Sequence, residues 1–118
     1  MKFDVVYDEV SRLYWLASTQ STDSMTRPDC LPDDRYNLPD NERNRLVLYF
    51  SKNMFDWCFA GVIAQGRSAK ESRHYASMII SGNDLLVLSR SGTPRAKTAH
   101  CGDIITLHRV RNFRSLQY

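Results

Sequence analysis

Hydrophobic residues fall into seven short runs separated by polar segments, and no run has the 3.6-residue spacing of a long helix. The runs are rich in β-branched and aromatic residues, which is typical of strands. Residues 78–80 and 85–88 are apolar at consecutive positions, and this pattern predicts strands that are covered on both faces. The predicted strands comprise residues 2–7, 13–18, 46–50, 57–63, 75–81, 85–89 and 104–110.

Turn-forming segments between these strands predict antiparallel pairing. Gly82, Asn83 and Asp84 form the strongest turn signal. Taken in fours, the strands divide the chain into a first unit at about residues 1–66 and a second at about residues 72–118, one strand short. Four antiparallel strands in roughly 40–50 residues is typical of a β-propeller blade. Seven strands would also suit a β-sandwich, which is the alternative.

Residues 19–42 interrupt the regular alternation of predicted strands and turns. This stretch contains Pro28, Pro32, Pro39 and five aspartates, and it has no hydrophobic periodicity. We expect a long loop on the first unit, and long loops often carry function. A solvated surface excursion is the alternative interpretation.

Composition is that of one globular domain. The chain has 118 residues, of which 42% are hydrophobic and 25% charged. No apolar run approaches the ~18–20 residues of a membrane span, so no membrane partner is expected. The opening residues lack the pattern of a signal peptide, and the compartment is left open.

Charge is distributed unevenly along the chain. Residues 1–59 have a net charge of −3 and residues 60–118 a net charge of +6. The basic half contains seven arginines and two lysines, which favours recognition of a single carboxylate or phosphate over a nucleic-acid partner. Cys30, Cys58 and Cys101 are widely spaced, so we expect no disulfide framework or zinc knuckle. No two histidines have the spacing of metal ligands, and we expect no metal site and no cofactor.

The segment between the third and fourth strands reads Ser-Lys-Asn-Met-Phe-Asp-Trp, residues 51–57. It resembles the Asp-box of sialidase-type propellers, Ser-x-Asp-x-Gly-x-Thr-Trp, which joins the same two strands of a blade. Ser51 and Trp57 match this pattern. Asn53 stands where Asp is usual, the glycine is absent, and the turn is one residue shorter.

Two further residues match the sialidase order. Arg43 precedes Ser51 by eight residues, the offset at which sialidases carry an arginine. Tyr75 begins the second unit, as the nucleophilic tyrosine of sialidases begins a blade, although Ala76 departs from the usual serine. The chain therefore resembles the C-terminal portion of a sialidase-like (BNR-repeat) glycoside hydrolase. The resemblance implies an all-β fold: about two four-stranded propeller blades, the last incomplete, from a larger, six-bladed ring.

This resemblance implies an exo-glycosidase that acts on acidic, sialic-acid-type glycans. Arginine binds a sugar carboxylate bidentately, and Arg43 is the expected clamp. A neutral phenol approaches a carboxylate-bearing sugar without charge repulsion, so Tyr75 is the expected nucleophile. Arg45 competes with Arg43 if the strand register differs. Further substrate-binding residues are predicted from their places at strand ends and on loops: Arg90, His100 and Arg27.

The resemblance also implies catalytic residues that this sequence does not contain. The acid/base aspartate, the glutamate partner of the tyrosine and two further arginines lie in N-terminal blades of sialidases, and Glu9, Glu42 and Glu71 have no matching context. We therefore expect an incomplete active site, with N-terminal blades missing or self-association in their place. The parent protein would be secreted or periplasmic. A non-catalytic carbohydrate- or protein-binding propeller is the alternative function.

Overall fold

The computed structural model describes residues 2–27, 29 and 41–118, which form an all-β molecule. The first four strands make one antiparallel sheet in the order β1-β2-β3-β4, and the last three make a second in the order β5-β6-β7. These seven strands lie within two residues of their predicted ends. They are β1 (Asp4–Asp8), β2 (Leu13–Thr19), β3 (Arg45–Ser51), β4 (Cys58–Gln65), β5 (Arg73–Ser81), β6 (Asp84–Ser91) and β7 (Ile104–Val110).

Two short helices lie wholly within the described residues. One, α1 (Asp23–Thr26), lies in the predicted loop 19–42, where no regular structure was expected. Within that loop, Pro28 and residues 30–40, which include Cys30, lie outside the described residues. The other is a 3₁₀ helix at Phe113–Leu116, near the end of the chain.

The core lies between the two sheets. Alternating residues of β2 face inward, so that Leu13, Trp15 and Ala17 are buried while the residues between them are half-buried. β5 crosses this face and contacts β1, β2 and β3. The carboxylate of Asp4 accepts a hydrogen bond of 2.6 Å from the backbone N–H of Met78, which joins the sheets. The core comprises Leu13, Trp15, Ala17, Leu46, Leu48, Phe50, Met78, Leu85, Val87 and Phe113.

The outer faces of both sheets are apolar as well. On the second sheet, Leu88 pairs with Leu107, and these side chains are 48% and 63% exposed. On the first sheet, Tyr49 packs against Phe59 at 5.7 Å between ring centroids. The consecutive apolar residues of β5 and β6 predicted coverage on both faces, but within the described chain Ile79 and Leu88 on the outer face of the second sheet are exposed. The described strands form two packed sheets and not a closed ring.

Candidate functional site

A bulge near the start of β5 directs Tyr75 out of the regular strand alternation. His74 pairs with Arg90 and Ser77 pairs with Leu88, so Tyr75 and Ala76 together oppose one residue of β6. Tyr75 has a φ of 51°, in the left-handed region that a bulky residue seldom adopts. Bulges of this kind re-aim side chains, often beside functional sites.

Arg43 reaches Tyr75 from the other sheet. It is 8% exposed and lies just before β3. Its Nη1 atom is 3.4 Å from Tyr75 Oη and 3.2 Å from His74 Nδ1. The carbonyl of Arg43 accepts a 2.7 Å hydrogen bond from the backbone N–H of Arg73, which ties the two sheets together at this end. The guanidinium and the phenol therefore meet where the sheets join.

The loop between β6 and β7 adds an imidazole to this site. His100 Nε2 is 3.1 Å from Tyr75 Oη, and the two rings are nearly perpendicular at 86°. Three cations also approach the aromatic ring, with distances to its centroid of 5.5 Å for Lys2, 5.6 Å for Arg43 and 5.8 Å for Arg90. We call these residues the Tyr75 cluster: Lys2, Arg43, His74, Tyr75, Arg90 and His100.

The electrostatics of the cluster are strongly positive. Burial, followed by the positive charges of Arg43 and Arg90, lowers the pKa of His74 to about 4. His74 is therefore neutral at neutral pH. Because the Arg43 guanidinium can only donate, His74 Nδ1 accepts and its proton resides on Nε2. That Nε2 atom is buried and has no hydrogen-bond partner within the described residues.

This arrangement suits an anionic ligand. Within the part of the chain that the structure describes, Arg90 makes no ion pair, and it is partly exposed to solvent. A partly exposed guanidinium that approaches the same ring as a second one can bind a carboxylate or phosphate through forked hydrogen bonds. Among the described residues, no group of three His, Cys, Asp or Glu side chains could hold a metal ion.

The predicted site residues fall into two places. Arg43, Tyr75, Arg90 and His100 all belong to the Tyr75 cluster. Arg27 lies instead in an exposed ion pair with Asp29, at 2.9 Å.

Sequence reasoning missed two members of the cluster. In a regular strand, His74 and Tyr75 would point to opposite faces, so the alternation gave no sign that both join one site. Lys2 carries no sequence signal at all.

Glu42 is a third residue that was missed, and it fixes the segment that leads to Arg43. Its carboxylate accepts hydrogen bonds from Thr22 N and Oγ1 at 2.9 Å, from Asp23 N at 3.1 Å, and from Ser24 N and Oγ. Burial favours protonation of Glu42, but the hydrogen bonds from Ser24 and Thr22 outweigh it and lower its pKa to about 2. The ionised Glu42 therefore holds the start of α1 beside the predicted clamp.

Polar side chains tie the turn between β3 and β4. Ser51 Oγ accepts from the backbone N–H groups of Asn53 and Met54, at 3.2 and 2.9 Å. Asn53 Oδ1 in turn accepts from the N–H groups of Phe55 and Asp56, both at 2.9 Å. Met54 has a φ of 64° and takes the left-handed conformation for which glycine is usual. The side-chain oxygen of Asn53 therefore stabilises this turn.

No protein-family model, curated protein or solved structure matches this chain. None of the helices in the described residues has the length and apolarity needed to cross a membrane. Any functional assignment therefore depends on the geometry of the Tyr75 cluster and on the resemblance of its motifs.

Proposed function

We propose that this chain is the C-terminal part of a sialidase-like exo-glycosidase, and that the Tyr75 cluster binds the carboxylate of an acidic terminal sugar. One observation carries the proposal: Arg43 Nη1 lies 3.4 Å from Tyr75 Oη, although the two residues are 32 positions apart. A clamp for the carboxylate and a nucleophile for the adjacent anomeric carbon must be neighbours, since those two sugar atoms are bonded to each other.

The charges of the cluster fit the ligand. A carboxylate bound between Arg43 and Arg90 would meet two permanently charged guanidinium groups. Removal of a carboxylate from water is costly, and bidentate hydrogen bonds to arginine offset that cost. A neutral sugar of the same size has no anionic group to pair with these guanidinium groups, so the site would bind acidic sugars more tightly.

The backbone at Tyr75 also fits a nucleophile. A left-handed conformation at a bulky residue costs about 1–3 kcal/mol, and such strain is concentrated at functional sites. Here the strained residue is the one whose hydroxyl faces Arg43 and His100. A tyrosine nucleophile avoids the charge repulsion that a carboxylate nucleophile would meet beside the sugar's own carboxylate.

The outer faces favour blades of a larger propeller over a free-standing sandwich. A two-sheet sandwich normally presents polar side chains to solvent on both outer faces. In this chain Ile79, Leu88 and Leu107 are 64%, 48% and 63% exposed on the outer face of the second sheet. Blades of a propeller pack against neighbours on both faces, which accounts for apolar residues there.

A non-catalytic carbohydrate-binding propeller is the second candidate. Within the described chain, the groups that contact Tyr75 are cations and imidazoles, and the carboxylate that usually activates a sialidase tyrosine is not among them. A site of this composition could bind an acidic sugar without cleaving it.

Calorimetric titration with N-acetylneuraminic acid tests the carboxylate clamp. We expect binding, at least ~10-fold weaker affinity in Arg90→Met, and unchanged affinity in Arg27→Met, which removes an exposed arginine outside the cluster. N-acetylglucosamine, a neutral sugar, should not bind. Equal binding of the two sugars, or none of the acidic one, would refute the proposal.

Hydrolysis of an aryl sialoside then separates the two candidate functions. Turnover that disappears in Tyr75→Phe supports the glycosidase, because the variant lacks the nucleophilic oxygen but keeps the ring and its cation contacts. Binding of N-acetylneuraminic acid without turnover supports the carbohydrate-binding module. Turnover that persists in Tyr75→Phe removes Tyr75 from the mechanism.

A further inference from the structure

We propose that His100 is the proton acceptor for Tyr75, in the position that a carboxylate holds in the resembled family. This inference rests on the proposed function, because the proton leaves Tyr75 only if its oxygen acts as a nucleophile. It concerns a catalytic residue, since His100 Nε2 touches the reacting oxygen at 3.1 Å.

The hydrogen-bonding capacity of the groups around Tyr75 allows its hydroxyl to donate to His100. Among the described residues, two nitrogen atoms lie within hydrogen-bond distance of Tyr75 Oη: Arg43 Nη1 and His100 Nε2. A guanidinium can only donate, so Arg43 occupies an acceptor position of the hydroxyl. The hydroxyl proton can then be donated to His100 Nε2, which is the direction that the proposed role of His100 requires.

The second imidazole of the cluster cannot take this role. His74 Nδ1 is directed to Arg43 Nη1 at 3.2 Å, and its ring is stacked beside Tyr75 at a tilt of 38°. The His100 ring meets Tyr75 edge-on, at 86°, and lies on an exposed loop. Of the two histidines, His100 alone has a nitrogen on the phenolic oxygen and a route for its proton to solvent.

The chemical step balances with an aryl sialoside as substrate. The Oη–H bond of Tyr75 breaks and its proton passes to His100 Nε2, which becomes an imidazolium. The oxygen forms a bond to the anomeric carbon, and the bond from that carbon to the aryl oxygen breaks, releasing a phenolate that solvent protonates. Arg43 Nη1 donates to the attacking oxygen and stabilises its developing negative charge.

This assignment predicts that the acidic sugar assists its own reaction. Transfer of a proton to His100 adds a positive charge beside Arg43, Arg90 and Lys2, the cations that face Tyr75. With a neutral sugar in the site, the imidazolium that remains once Tyr75 Oη has bonded to the anomeric carbon would be repelled by these cations. The carboxylate of the substrate offsets the added charge, so proton transfer is coupled to binding of an acidic ligand.

The first test measures the tautomer of His100 and needs no sugar. In protein labelled with ¹⁵N-histidine, we expect a neutral His100 with a protonated Nδ1 and a bare, hydrogen-bonded Nε2. The Nε2 shift should move in Tyr75→Phe, which lacks the hydroxyl proton. A proton on Nε2, or a ¹⁵N chemical shift of Nε2 that is the same in wild type and Tyr75→Phe, would overturn the role of His100. Neither result would affect the proposed function.

The second test uses His100→Gln, which keeps a hydrogen-bonding side chain but cannot accept a proton under these conditions. We expect aryl sialoside hydrolysis to fall by about 100-fold or more, while affinity for N-acetylneuraminic acid changes less than ~3-fold. His108→Gln is the matched control, since His108 contacts Thr106 on β7 and lies outside the cluster. Hydrolysis that survives in His100→Gln, or that is missing from the wild type, overturns the proton-acceptor role. Absent sugar binding in the wild type refutes the proposed function itself.

Discussion

Arg114 binds Asp8 through two parallel hydrogen bonds, each 2.7 Å long, across 106 residues of sequence. The pair joins the end of β1 to the 3₁₀ helix that closes the chain. Next to it, Phe113 is fully buried and packs edge-on against Trp15 with ring centroids 4.9 Å apart. The charged contact of Arg114 and the aromatic contact of Phe113 therefore fix the 3₁₀ helix onto the first sheet.

Asp8→Asn should destabilise the protein by roughly 2 kcal/mol, because a buried acceptor loses charge-assisted hydrogen bonds while Arg114 keeps its charge. The bonds from Arg114 already hold the pKa of Asp8 well below its usual range, against the effect of burial. Denaturation with urea measures the change. Asp29→Asn, in the exposed pair with Arg27, is the control and should alter stability little. Equal stability of Asp8→Asn and wild type would contradict this prediction.

Stability should decrease as the pH falls from about 6.5 towards 4, because His74 resists protonation in the folded state. Its pKa is lowered from 6.5 to about 4, first by burial and then by Arg43, Arg90 and His100. The unfolded chain therefore binds a proton in this window that the folded chain does not, so stability is full above pH 6.5 and is lost below it. Urea denaturation at several pH values measures the slope.

His74→Gln should flatten that slope by at most about 1.4 kcal/mol per pH unit, the linkage of one proton. His108 contributes in the same direction, since burial and Arg73 also lower its pKa, so part of the slope should remain. A slope unchanged by His74→Gln would show that the histidine titrates alike in both states.

The positions of the strands and their division into two sheets could be predicted from the sequence. The apolar runs and the Gly82–Asn83 turn located all seven strands, because strand formation depends on local pattern and turn chemistry. The division into two sheets was also correct at the level of a four-stranded and a three-stranded unit. Whether the outer face of a sheet is covered depends on what packs against it, and the residue pattern of a single strand does not show this.

The candidate site could be predicted in part from the sequence. Motif order placed Arg43 and Tyr75 as partners, and their contact at 3.4 Å joins two sheets. The contribution of His74 was hidden because it depends on a bulge, and a left-handed tyrosine is not a conformation that sequence propensity favours. Glu42 was overlooked because its hydrogen bonds come from residues about 20 positions away.

Met54→Gly should stabilise the protein by about 1 kcal/mol, because glycine adopts the φ of 64° without the steric cost that a Cβ imposes. Little apolar burial is lost, since Met54 is 49% exposed. Thermal unfolding measures the change. Met25→Gly, at an exposed position of α1 with ordinary backbone angles, should lower stability instead. A loss of stability in Met54→Gly would contradict the idea that the turn is strained at this residue.

Gly92→Ala should damage both stability and ligand binding, because Gly92 packs directly against the segment that leads into β5. A Cβ at this position would lie 2.0 Å from the carbonyl oxygen of Lys70, and backbone must move to admit it. The N–H of Gly92 also donates to the carbonyl of Ser72 at 2.9 Å, two residues before His74. We expect a lower Tm and at least ~10-fold weaker binding of N-acetylneuraminic acid, measured by calorimetry.

Gly61→Ala is the matched control: a Cβ there meets nothing within 4 Å, so this variant should keep its affinity and its stability. Unchanged affinity in a folded Gly92→Ala protein would show that the segment preceding β5 does not position the Tyr75 cluster.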